Sequence, residues 1–138
     1  MSDLSAVLAA NDAFYRAFAT GDFAAMDALW ARHSPVACLH PGWGPIAGRA
    51  QVMETWRAIL ANSDGNAVQC LSPQAYPLGD AAFVICHEKL PQGSLVATNL
   101  FVREGDAWRM VHHQAGPAPA PKPAPGKPIH APGTRTLQ

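Results

Sequence analysis

Apolar residues follow two rhythms along this chain, and the change from one to the other divides it. Leu4, Val7, Leu8, Asn11, Phe14, Tyr15 and Phe18 recur at the three-and-four spacing of one helical face, which predicts an amphipathic helix over residues 3–19. Gly21 stops it, and Asp22 stands where a carboxylate accepts the free amide hydrogens of a new first turn. Phe23, Met26, Leu29 and Trp30 mark the apolar face of that second helix, expected to end near residues 33–35. A short strand is expected over residues 36–40, followed by a loop in which Pro41, Gly42, Trp43, Gly44 and Pro45 break regular structure. Val52, Met53, Trp56, Ile59 and Leu60 give a third helix its apolar face, and a polar turn at residues 62–66 ends it.

From there the period is two. Strand-forming runs cover about 67–76, 81–90, 94–103 and 107–114, separated by Leu78-Gly79-Asp80, Pro91-Gln92-Gly93 and Glu104-Gly105-Asp106, which supply the Gly and Asp that tight hairpins need. Three helices followed by an antiparallel meander predict an α+β domain, with the helices on one face of a curved sheet.

Composition changes this picture at one end only. Seven of the 13 prolines fall in the last 23 residues, so residues 1–115 read as the folded domain and 116–138 as a Pro-rich tail, extended or disordered and either solvated or docked on an aromatic groove. Three of the ten basic residues and none of the ten acidic ones lie in that tail, leaving the domain at a net charge of −3. With no basic stripe, nucleic acid is not an expected partner. No apolar run is long enough to span a bilayer and no leader is visible at residues 1–10, so the expectations are no membrane association and a cytoplasmic location. Cys38, Cys70 and Cys86 are odd in number and scattered among strand-forming residues, as reduced core thiols would be.

Three stretches, FYRAFATGDFAAMDALW (14–30), CLHPGWGPIAGRAQVMETW (38–56) and GDAWRMVHHQA (105–115), resemble the nuclear transport factor 2-like superfamily, in its SnoaL-like and ketosteroid-isomerase-like branches. The resemblance implies a cystatin-like cone: three N-terminal helices packed on a strongly curved mixed or antiparallel sheet around an internal pocket. It is specific for fold and weak for function, since the superfamily hosts isomerases, cyclases, dehydratases, epoxide hydrolases and domains without catalytic roles.

Strand alternation suggests the pocket's lining. His40 shares a face with Cys38 and Val36, Asn99 with Ala97 and Phe101, and His112 with Trp108 and Met110, leaving His113 on the other side, at an expected dimer interface. His87 shares a face with Phe83 and Ile85, and Glu88 shares the opposite one with Val84 and Cys86. Phe14, Trp30 and Trp56 would add aromatic walls suited to a mostly apolar ligand. Trp43 is a pocket lid or an exposed loop anchor. Ketosteroid isomerase works with an Asp base beside an oxyanion hole of a Tyr and a protonated Asp. By the matching motifs His40 stands at the base, Asn99 at the acidic donor and Phe14 at the Tyr, while Tyr15 is one position off, about 100° round the helix. The steroid-isomerase mechanism is therefore not expected, but a neutral imidazole can still accept a proton and an amide can still donate to an oxyanion.

The candidate catalytic residues are thus His40, Asn99 and His112, and the candidate ligand contacts Phe14, Trp30, Trp56, His87 and Phe101. Nothing in the spacing of the histidines suggests a metal, and no nucleotide or hydrolase motif is present, so no cofactor is expected. Two readings follow. One is an isomerase, cyclase or dehydratase acting on a small, largely apolar carbonyl or hydroxyl compound. The other is a non-catalytic module of the same fold that binds a ligand or partner. A homodimer formed through the convex face of the sheet is expected under both.

Overall fold

In the computed structural model, which describes residues 3–62 and 67–121, the first helix, α1, runs Asp3–Thr20 and buries Val7, Asn11, Phe14, Tyr15 and Ala17. The second, α2 (Phe23–Leu29), begins as its sequence predicts, with Asp22 Oδ1 accepting the Ala25 amide at 3.0 Å. It ends earlier than expected. Trp30 turns extended and bridges Met110 in the sheet, because the apolar side chain is better buried there than on another helical turn. Arg49 replaces the missing turn: its guanidinium donates to the carbonyls of Asp27, Trp30 and Ala31 at 2.7–3.1 Å and to Asp27 Oδ1 at 2.8 Å. Helix ends leave such carbonyls unpaired, and the residue that meets them is the first of α3 (Arg49–Ala61). Gly48, at φ +90°, makes the turn into that helix.

Six strands follow the order β2-β1-β6-β5-β4-β3: β1 (Ala37–Leu39), β2 (Ile46–Ala47), β3 (Gln69–Leu78), β4 (Ala81–Leu90), β5 (Gly93–Glu104) and β6 (Ala107–Pro117). β1 runs parallel to β6 and every other pair is antiparallel, so the sheet is mixed and its edges are open. β2, a two-residue strand hidden in the Gly-Pro loop, was not predicted. β6 runs two residues beyond the expected domain boundary, and the Ala118 amide adds a bond to Ser94 O at 3.1 Å. Residues 63–66 of the polar turn and 122–138 of the Pro-rich tail lie outside the described residues.

The three helices pack on one face of this sheet. Between them Phe14, Met26, Trp30, Trp56, Phe101 and Met110 are fully buried, each such side chain stabilising the fold by about 1.5–3 kcal/mol. Two irregularities interrupt the ladders. In β3 the register slips between Leu71 and Gln74, with Ser72 at φ +55°. In β6 Leu100 pairs with His112 but Phe101 pairs with Met110, leaving Val111 as the extra residue of a bulge.

Candidate functional site

A cavity of about 520 Å³ opens at one end of the sheet. It is lined by the β4–β5 turn (Leu90, Gln92, Gly93, Ser94 and Leu95), the loop after β1 (Pro41 and Trp43) and Pro117, with Phe18 of α1 and Ile59 of α3 adding apolar surface. Trp43 is half exposed, and its ring meets that of His40 at 5.0 Å. Three ionisable side chains also line the cavity, each from a different part of the fold and each buried: His40, Glu88 and His113.

His40 follows β1 directly. Its Nε2 lies 3.0 Å from Thr55 Oγ1 of α3, and its ring packs on Trp56 at 4.9 Å. Thr55 gives its own hydroxyl proton to Val52 O at 2.7 Å, so its oxygen accepts from His40 and fixes the imidazole with the proton on Nε2. Burial lowers the pKa of His40 to about 4, so at neutral pH the ring is uncharged with a lone pair on Nδ1, which the Cys38 thiol approaches at 3.9 Å.

His113 is held more firmly. Asn99 Nδ2 donates to Asn11 Oδ1 at 2.8 Å and to the Tyr15 hydroxyl at 3.1 Å. Asn99 Oδ1 is thereby turned to accept from His113 Nδ1 at 2.6 Å. Tyr15 passes its proton onward, donating to Glu88 Oε2 at 2.6 Å. Phe14 packs on the His113 ring at 4.9 Å. Burial, with smaller contributions from His40 and His112, lowers His113 to about 3, while burial raises Glu88 against the opposing pull of the Tyr15 bond. His113 Nε2 is 3.9 Å from Glu88 Oε2. Because burial keeps that imidazole neutral, this approach is a gap between two polar atoms rather than an ion pair. Around the same network lie two thiols: Asn11 Nδ2 reaches Cys70 Sγ at 3.7 Å, and Cys86 Sγ is 3.2 Å from the Tyr15 hydroxyl.

The arrangement of helices, loop and sheet has known counterparts. A family model for the SnoaL-like domain matches residues 7–121. The chain belongs to the SnoaL-like family. A Streptomyces avermitilis protein provisionally named a dehydratase of the nuclear transport factor 2-like family is 32% identical, with a TM-score of 0.76 over 86% of this chain and 97% of that one. A Thiobacillus denitrificans protein provisionally named a calcium/calmodulin-dependent protein kinase type II association domain is 36% identical, with a TM-score of 0.72 over 80% of this chain and 94% of that one. The kinase hub of S. rosetta, 20% identical with a TM-score of 0.68 over 86% and 98%, shares the fold. No curated protein matches the chain.

Within this SnoaL-like domain the sequence-predicted residues fall into three groups. His40 lines the cavity. Asn99, Phe14 and Trp56 are fully buried just behind it and hold the histidines. Trp30 and Phe101 are buried in the core away from the lining, and His87 and His112 lie on the outer face of the sheet. His87 keeps the expected alternation on the face opposite the helices, while His112 corrects the alternation expected of β6. Val111 makes both Met110 and Val111 point inward, so beyond the bulge the parity of β6 reverses: His113 enters the site and His112 turns out to bond Ala37 O at 3.0 Å. His113 is therefore a core residue, not the surface residue expected at a dimer interface.

On β4 the inward face is Ala82, Val84, Cys86 and Glu88. Alternation separates that face from the one bearing His87 without saying which the helices cover, and Glu88 was not among the expected site residues. Tyr15 stands one residue off the matching position, yet the buried arc of α1 takes in both Phe14 and Tyr15. A signal did exist in Glu88, a charged residue amid Val84, Cys86 and Leu90 on a strand.

Proposed function

We propose that this SnoaL-like domain binds a small, mostly apolar carbonyl or hydroxyl compound and moves a proton on it, as an isomerase, cyclase or dehydratase does. The observation that carries the reading is the convergence of His40, Glu88 and His113 on one apolar-walled cavity of about 520 Å³, within the ordinary range for a small-molecule site. Pairs of titratable groups whose environments push them apart are how folds of this kind divide acid and base roles. His40 and His113, kept neutral by burial, are proton acceptors, and Glu88, whose hold on a proton burial strengthens, is the carboxyl that exchanges a proton beside them. Asn99 acts through His113 as a positioning residue, as Phe14 and Trp56 do through the two imidazoles.

The test is a thermal-shift and ligand-observed NMR screen of small apolar carbonyl and hydroxyl compounds, run beside His40→Ala and Glu88→Gln. A ligand at about a hundred times its Kd stabilises the wild type by about 2.7 kcal/mol, and the variants should bind it at least tenfold more weakly. Proton exchange or turnover with a bound compound then establishes chemistry. Absence of binding by every class would defeat the reading.

A second reading, a non-catalytic oligomeric module, draws support from the outer face of the sheet. There Tyr76 stacks on Phe83 at 4.8 Å beside the exposed Ile85 and Val96, a surface suited to a second copy of the chain. Its check is sedimentation of the purified protein. No helix among the described residues is long and apolar enough to cross a membrane.

A further inference from the structure

Which kind of molecule the cavity accepts follows from where its protons sit, given that it is a ligand site at all. Thr55 fixes the proton of His40 on Nε2, and Asn99 fixes that of His113 on Nδ1. Each ring therefore keeps one lone pair, that of His40 Nδ1 facing the Cys38 thiol at 3.9 Å and that of His113 Nε2 facing the cavity. His113 Nε2 stands 3.9 Å from Glu88 Oε2, too far for a direct hydrogen bond, and that oxygen already accepts from Tyr15. Two electron-rich atoms facing across such a gap in a buried place lack a donor between them.

We infer that the ligand's polar end is a neutral hydroxyl that spans Glu88 and His113, and that the cavity discriminates against carboxylates. A hydroxyl has one proton to give to His113 Nε2 and lone pairs to accept from the Glu88 carboxyl, or it can donate to Glu88 when that group is ionised. It meets both groups when Glu88 carries its proton, and one of them when Glu88 is ionised. A ketone offers lone pairs only and leaves His113 unmet. A carboxylate brings a charge beside Glu88 and two imidazole lone pairs, and among the described residues lining the cavity no Lys or Arg offsets its desolvation. The remaining wall, with Phe18, Ile59, Leu90 and Leu95, takes an apolar body.

The experiment is a matched series on one skeleton, namely decalin, its alcohol, its ketone and its carboxylate, titrated into the full chain at neutral pH by ligand-observed NMR. The alcohol should bind roughly tenfold more tightly than the ketone and about a hundredfold more tightly than the carboxylate, as one and two hydrogen-bond equivalents imply. Glu88→Gln keeps an oxygen for Tyr15 while removing the ionisable carboxyl, so it should cut the preference for alcohol over carboxylate by about tenfold. Carboxylate binding as tight as alcohol binding, or a Glu88→Gln variant with unchanged preference, overturns the inference while the cavity remains a ligand site. Failure of all four probes, decalin included, removes the ligand-site reading and the inference with it.

Discussion

The two faces of the sheet each carry groups that run against the usual placement of polar and apolar side chains. On the face covered by the helices, Glu88, Asn99 and His113 are each almost wholly buried, with Asn11 and Tyr15 of α1 closing the network around them. On the uncovered face, Tyr76, Ile85 and Val96 are exposed and Phe83 is half-buried. Each side carries a penalty. A buried polar network stabilises a fold only if every member is satisfied, and otherwise costs more than an apolar core would. An uncovered apolar face of this kind costs solubility unless something sits on it. The difference teaches where to look for function: inside, for chemistry in a network too expensive to serve packing alone, and outside, for association.

The sharpest way to break the comparison is to remove the inner network's hub. Asn99→Ala strips partners from Asn11, Tyr15 and His113 together, and leaving several buried groups unmet should destabilise the domain by about 3–5 kcal/mol in urea unfolding. Thr98→Ala, one residue away on the outer face, should change stability by less than about 0.5 kcal/mol. Equal effects would mean that the inner network contributes no more than the surface does.

Acid should tell the faces apart next. His40 falls to about 4 and His113 to about 3 in the folded chain, against about 6.5 when unfolded. Between those values the unfolded chain holds more protons, so stability is full above about pH 6.5 and is lost as pH falls toward 4 and then 3. At about 1.4 kcal/mol per unit, His40 alone accounts for roughly 3 kcal/mol. Glu88 opposes this, because a raised carboxyl takes up its proton in the folded state first and so favours folding as pH falls. Two histidines against one carboxyl should still give a net loss, read from urea midpoints at pH 7, 6, 5 and 4. His113→Asn should flatten part of the slope.

Tyr15→Phe comes third. It removes the hydroxyl from Glu88 Oε2 and an acceptor from Asn99, an expected loss of about 1–3 kcal/mol. It should also move the Glu88 carboxyl further upward, which carboxyl-carbon NMR titration would follow.

How far these features were legible in the chain depends on what kind of signal each leaves. The helices and the meander left periodicity, and the cap at Asp22 left a side chain of the required chemistry. The Val111 bulge left none, because an unpaired residue in a ladder is a property of the backbone, and Val suits either side of it. That one residue decided whether His112 or His113 entered the site. β4 was ambiguous for another reason: Phe83 and Ile85 outside are as apolar as Val84 and Cys86 inside, so alternation could not say which face the helices cover. The early end of α2 depended on Arg49, twenty residues away, and on a bridge between Trp30 and Met110 that no local pattern announces.

The smallest effect on stability is expected on the outer face, and it sharpens the comparison most. Ile85 is 38% exposed and pairs with Gln74 and Thr98, so Ile85→Lys should shift the unfolding midpoint of an isolated protomer by less than about 0.5 kcal/mol. If Tyr76, Phe83, Ile85 and Val96 form the centre of a self-association surface, the same change buries a lysine with no partner and should weaken assembly by at least about tenfold in sedimentation. Binding of a ligand in the cavity should be untouched, since the side chain points away from Glu88 on the same strand. A variant that loses both assembly and ligand binding would show that the two faces are coupled through β4. A wild type that sediments as a monomer would take away the second copy as the cover for this face.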